Sequence, residues 1–128
     1  MNQRLERVSS EIREIIGSAV VRGEIKDPRV RDVGLITITH VRVTGDLREA
    51  HAAFIVHDAD EATLEKVLHG LNSAAGYLRR VVGQQLRLKT TPTLIFEIDR
   101  VFEQEAKIDR LLHEVEQERK QEPKIEKK

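Results

Sequence analysis

Apolar residues recur at spacings of three and four from Leu5 through Val8, Ile12, Ile15, Ile16 and Ala19 to Val20. That period predicts one amphipathic helix over residues 3–22. Its other face carries Arg7, Glu11 and Glu14 at helix-neighbour spacing. Gly23 is a helix stop, and Asp27-Pro28 resists continuation because proline disfavours helical geometry in the residue before it. Residues 33–43 are rich in β-branched types and predict a strand, with Gly34 marking a bulge or the strand's beginning. Thr44-Gly45-Asp46-Leu47 is a turn, and residues 48–57 alternate as a second strand with Ala50, Ala52, Phe54 and Val56 on one face. So short a connection implies an antiparallel hairpin. Asp60 is a helix cap with Glu61 in the first turn, and Ala62, Leu64, Val67, Leu68 and Leu71 restore the helical period. The period runs on through Leu78, Val82 and Leu86, but Asn72-Ser73-Ala74-Ala75-Gly76 interrupts it. Two helices meeting at a kink are therefore predicted. Gly76 in mid-helix costs about 1 kcal/mol relative to alanine, which calls for a packing or contact reason.

Leu94, Phe96 and Ile98 share one face of a third strand that follows Pro92. Ile108, Leu111, Leu112 and Val115 predict a terminal helix over 103–118, with Phe102 as its anchor on the domain. Residues 119–128 are polar and are read as a disordered extension. The order is α-β-β-α-α-β plus an appended helix, an α+β two-layer sandwich with helices covering one face of a three-stranded sheet.

Composition narrows the chemistry. The 128 residues are enough for one domain, and they contain no cysteine, which excludes disulfides, thiolate metal sites and cysteine nucleophiles. No apolar run approaches the ~20 residues of a membrane span, and the charged start lacks a signal peptide's apolar core. A cytoplasmic protein is expected. With only Phe54, Tyr77, Phe96 and Phe102 as aromatics, a sheet that stacks several bases is disfavoured. Lys plus Arg and Asp plus Glu both number 22, so the net charge is zero. The distribution is uneven: residues 1–31 carry seven bases and five acids, 32–71 three and seven, 72–102 five and two, and 103–128 seven and eight. Two basic stretches thus flank an acidic middle.

The order, with a helix–kink–helix before the last strand, resembles the type II KH domain. Five local sequences are more specific. Asp27-Pro28-Arg29 follows the first helix, and Thr39-His40-Val41-Arg42-Val43-Thr44-Gly45-Asp46-Leu47 resembles T-x-V-x-V-[ST]-x-D-L. Ala74-Ala75-Gly76-Tyr77-Leu78-Arg79 resembles A-x-G-x-[LI]-[RK]. Leu86 to Phe96 resembles L-x-L-[RK]-x-x-P-x-L-x-F, and Asp99 with Ile108-Asp109-Arg110-Leu111-Leu112 completes the set. In this order, over about residues 1–115, they are similar to the ribosome-binding factor A family. The resemblance implies a KH-like RNA-binding domain over 1–102 in which an Ala-x-Gly kink, here Ala74 and Gly76, replaces the usual GxxG loop. It implies an assembly factor that binds 16S rRNA in the free small ribosomal subunit and assists late rRNA maturation and processing, including in the cold. It also implies no catalysis, no cofactor, no membrane partner and a monomeric state, with other assembly factors as further partners.

The basic residues give that reading its chemistry. Arg79 and Arg80 begin the second half of the kinked helix, Arg87 follows at close to two helical turns, and Lys89 lies in the next loop. A new helix N-terminus suits phosphate, as do arginine forks. Arg4, Arg7, Lys26, Arg29 and Arg31 form a second basic group. With Ala74 and Gly76, these are the candidate RNA-binding residues. The plainer reading of each is a solvated surface cation, and Arg7 can simply pair with Glu11. Tyr77 can stack on a base or pack against the sheet. His40 and His51 can face one another across the hairpin, but zinc catalysis generally needs three protein ligands. His57 lies six strand residues from His51, roughly 20 Å away. No metal site is therefore expected, and Asp58 and Asp60 are read as capping residues. The rival reading is a protein-interaction module that uses the acidic hairpin and the terminal helix.

Overall fold

The computed structural model describes residues 3–121. The chain forms α1 (Gln3–Val21), α2 (Pro28–Arg31), β1 (Ile36–Val43), β2 (Glu49–Val56), α3 (Glu61–Ser73), α4 (Ala75–Gln85), β3 (Thr93–Ile98) and α5 (Arg100–Gln121). The sheet order is β1-β2-β3, with β1 antiparallel and β3 parallel to the central β2. This is the α+β sandwich and element order that the pattern predicts, with one added turn of helix. Asp27 stops α1's continuation and starts α2: its carboxylate accepts from the Arg29 amide, and Pro28 takes the first helical position, where its missing N–H costs nothing.

The core lies between the sheet and the helices. Val8, Ile12, Ile16 and Ala19 of α1, Leu64, Val67 and Leu71 of α3, and Leu78 and Val82 of α4 are buried. They meet Ile36, Ile38, Val41, Val43, Ala50, Ala52, Phe54, Val56, Leu94 and Phe96 from the sheet. Small Ala50 and Ala52 on the central strand let the helices approach closely, and Phe54 fills the middle with no exposed surface. Each fully buried Leu, Ile or Phe here contributes about 1.5–3 kcal/mol through removal of apolar surface from water.

Of the two readings of Gly34, the strand's beginning holds, since β1 starts at Ile36, and the bulge lies between Ile38 and His40. There the Thr39 hydroxyl reaches the Ala53 carbonyl (3.3 Å) and donates to Asp99 (2.5 Å), a residue at the far end of β3. Because of that shift, Ala53 stands opposite His40 and Arg42 opposite His51, so the two imidazoles do not face one another. The hairpin turn forms at residues 44–48 as expected, with left-handed backbone at Leu47 (φ 62°). Thr44 donates to the Asp46 carboxylate (2.7 Å), which also accepts from the Arg48 amide (3.1 Å).

Helix α5 runs further in both directions than 103–118. Residues 119–121 belong to it, and the remainder of the expected tail, 122–128, lies outside the described residues. No helix among the described residues is long and apolar enough to cross a membrane.

Candidate nucleic-acid interface

The kink is a single residue. Ala74, at φ −88° and ψ 0°, ends α3, its amide bonding back to the Gly70 and Leu71 carbonyls, and α4 restarts at Ala75. Ala74 has no side chain able to accept from the new helix. α4 therefore starts without a side-chain cap, its Leu78 amide bonding back to the Ala74 carbonyl (3.0 Å), and the positive end of its dipole lies at the kink. The weak helix formers before the kink have structural work. Asn72 accepts from the Phe96 amide (2.9 Å) and donates to the Phe96 carbonyl (3.4 Å), so it closes the free edge of β3. Ser73 accepts from Arg29 (3.1 Å).

Segment 24–31 is clamped to this junction. Tyr77 donates its hydroxyl to Glu24 (2.9 Å), and Gly70 permits α2 to approach. A Cβ on Gly70 would stand 2.7 Å from a Val30 methyl and 3.1 Å from the Arg29 Cβ. Tyr77 neither packs on the sheet nor stands free to stack, because this bond holds it; the nearby Glu24 carboxylate pushes its pKa up. On the other side of α4, Gly83 admits Thr91, whose hydroxyl would be 2.8 Å from a Cβ there. Arg79 donates twice to the Thr91 carbonyl, at 3.1 and 2.8 Å. Loop 86–92 is thereby fixed against α4.

Gly76 differs from both of those glycines. It is exposed, and a Cβ there would meet nothing within 4 Å. Packing within the chain gives no reason for a glycine in the first turn of α4. What it does provide is an uncovered backbone at the uncapped start of α4.

All nine basic candidates are exposed. Their availability differs. Arg29 donates to both Asp27 oxygens (3.0 and 2.6 Å), and that hydrogen bond pulls the Asp27 pKa down to about 2. Arg31 is paired with Asp32 at 3.0 Å. Arg79 is committed to Thr91. Lys26, Arg80, Arg87, Lys89 and Arg7 carry no ion pair among the described residues, so Arg7 does not pair with Glu11. Arg87 does not continue α4's face, because Leu86 already turns to extended backbone at φ −105° and ψ 116°.

The candidates do not form one continuous patch. The Tyr77–Glu24 bond places the start of α4 against the end of α1, and Gln85 and Leu86 share a groove with Glu11 and Glu14. The helices therefore run antiparallel. Arg29, bonded to Ser73, and Arg80, beside Tyr77, lie at the kink end, with Lys26 and Arg31 on the segment that carries Arg29. Arg4 and Arg7, two turns and one turn before Glu11, extend toward the end of α4 where Arg87 and Lys89 lie. Between the two groups, across about 16 Å of helix, the groove carries Glu11, Glu14 and Glu24 with Arg22. Sequence reading missed Asp27, Asn72, Ser73 and Thr91 as positioning residues. Only Asp27 had a local signal, the Asp-Pro start of a helix.

Of the remaining polar candidates, Asp60 caps α3 by accepting from the Thr63 amide (2.8 Å), and Asp58 instead sits in the left-handed region at φ 58°. His51 lies beside Glu49 (3.2 Å) and Glu97 (3.9 Å) on the sheet face away from the helices.

Comparison with known proteins gives concordant results. The family described as ribosome-binding factor A matches residues 4–112. A ribosome-binding factor A from Geobacter sulfurreducens is 44% identical over 119 residues, covering 93% of this chain and 97% of that protein. The crystal structure of ribosome-binding factor A from Thermus thermophilus shares the fold with a TM-score of 0.60 at 19% identity, over 75% of this chain and 97% of that one. A Thermus thermophilus homology model of the same factor, fitted into the cryo-EM map of its complex with the 30S subunit, matches with a TM-score of 0.56 at 20% identity, over 72% and 91% of the two chains.

Proposed function

The chain belongs to the ribosome-binding factor A family, and on that premise we propose that it binds the free 30S ribosomal subunit and assists late maturation of 16S rRNA. It does so as a cytoplasmic monomer, by binding RNA without catalysis, and it supports rRNA processing and growth in the cold. The observation that carries the reading is the kink: an exposed glycine with open space around it, a helix start without a side-chain cap beside it, and exposed Lys26 and Arg80 on the segments that flank it. A nucleic-acid backbone can approach there closely, with phosphates at the positive end of the α4 dipole. Arg87 and Lys89, with Arg7, would hold a second stretch of backbone. Glu11 and Glu14 between the groups would keep phosphates out of the groove and so fix the register of the contact. Few aromatics lie on this surface, so shape and phosphate position decide recognition more than base identity.

Co-sedimentation of the full chain with purified small subunits, at several salt concentrations, tests the proposal. Binding is expected, with log affinity falling against log salt at a slope of about −3 to −4.5, from the counterions displaced by four or five phosphate contacts. No binding to subunits, or an affinity indifferent to salt, would overturn it.

A further inference from the structure

The start of α5 is held firmly. Asp99 accepts from the Phe102 amide (2.9 Å), capping the helix, while its other oxygen receives the Thr39 hydroxyl from β1. Arg100 forms a two-bond fork with Glu61 on α3 (2.8 and 2.5 Å). The helix is thus fixed in orientation to two elements of the domain. Phe102 and Arg110 face the domain, lining a groove with Ile55, Val56 and Leu64. At about 3.6 residues per turn, Ile108, Leu111, Leu112 and Val115 share the opposite face. These four are 48–61% exposed. An apolar stripe is therefore held out into solvent, pointing away from its own core.

The rim of the stripe states what can cover it. Glu105, Asp109 and Glu116 run along one side, and Glu114 and Glu118 along the other. Lys107 and Arg119 are the cations that adjoin it. Five carboxylates against two cations repel phosphate, so RNA does not suit this face. A second copy would set the same carboxylates against themselves. We propose that the Ile108–Val115 face of α5 is a docking surface for a protein partner whose own apolar surface is edged with lysine and arginine. The interaction follows helix-in-groove recognition, with apolar anchors at helical spacing giving affinity and the charged rim giving partner choice. It stands independently of the RNA-binding face, on the other end of the chain.

The test titrates the full chain, labelled with ¹⁵N, with two helical probe peptides of roughly 18 residues, about five turns. They share one leucine pattern and carry either lysine or glutamate at the polar positions. A short single-stranded RNA is a third probe, and sedimentation equilibrium measures self-association. The lysine peptide is expected to shift the amides of α5 around residues 108–115 and to bind at least about tenfold more tightly than the glutamate peptide. Leu111→Ser with Leu112→Ser should weaken it by at least about tenfold while leaving thermal unfolding unchanged, since both side chains are exposed. Equal binding of the two peptides, shifts confined to other elements, or affinity unaltered by the serine pair would overturn the proposal. So would RNA shifting the α5 amides, or a wild-type dimer that the serine pair dissociates.

Discussion

Helices α4 and α5 both carry an apolar stripe, and they meet opposite fates. Leu78 and Val82 of α4 have no exposed surface, closed in by α1 and the sheet. Leu112 of α5, in an equally regular pattern, is 61% exposed. The difference does not lie in the local sequence. It lies in what precedes each helix: a one-residue kink keeps α4 on the sheet, whereas Asp99 and Arg100 tether α5 by polar bonds at its start. Periodicity thus establishes that a helix has an apolar face but not that the same chain covers it.

The contrast can be broken most strongly at the stripes themselves. Leu78→Ala removes a fully buried side chain and should destabilise the protein by about 2–5 kcal/mol. Leu112→Ala, on the uncovered stripe, should change stability by no more than about 0.5 kcal/mol. Urea unfolding of both variants measures this; equal losses would mean that α5 is packed on the domain after all. A smaller effect isolates the tether. Asp99→Ala removes the cap of α5 and the partner of Thr39, and should cost about 1 kcal/mol, within the range of lost helix caps. Amide hydrogen exchange should then show faster exchange in the first turns of α5 with α4 unaffected. Unchanged protection of α5 would show that the helix is held by something other than its polar start.

Much of the fold is legible in the chain because its signals are local. The three strands, the stripe of α1 and the kink at 72–76 follow from alternation, a 3.6-residue period and a run of weak helix formers. What escapes is set by partners far away. The bulge at Thr39 depends on Asp99, and no pattern near residue 39 announces it. Helix α2 was hidden by reading Asp27-Pro28 as a stop alone, when the same pair is also a start. The candidate site divides in the same way. That the arginines and lysines are exposed could be read from composition. That Arg29 is tied to Asp27 and Ser73, and Arg79 to Thr91, could not, because the second partner in each case lies on another element. The reason for Gly76 emerged only by elimination: Gly70 and Gly83 are required by neighbours, and Gly76 is not.

That distinction gives the most direct test of the account's central claim, that the kink is a surface for close approach of an RNA backbone. Gly76→Gln places a good helix former where the chain itself leaves room, so thermal unfolding should be unchanged or slightly improved. Small-subunit affinity, measured on the same preparation by co-sedimentation, should fall by at least about tenfold, because the new side chain occupies the space a phosphate backbone needs. A folded Gly76→Gln protein that binds small subunits as tightly as the wild type would contradict the claim.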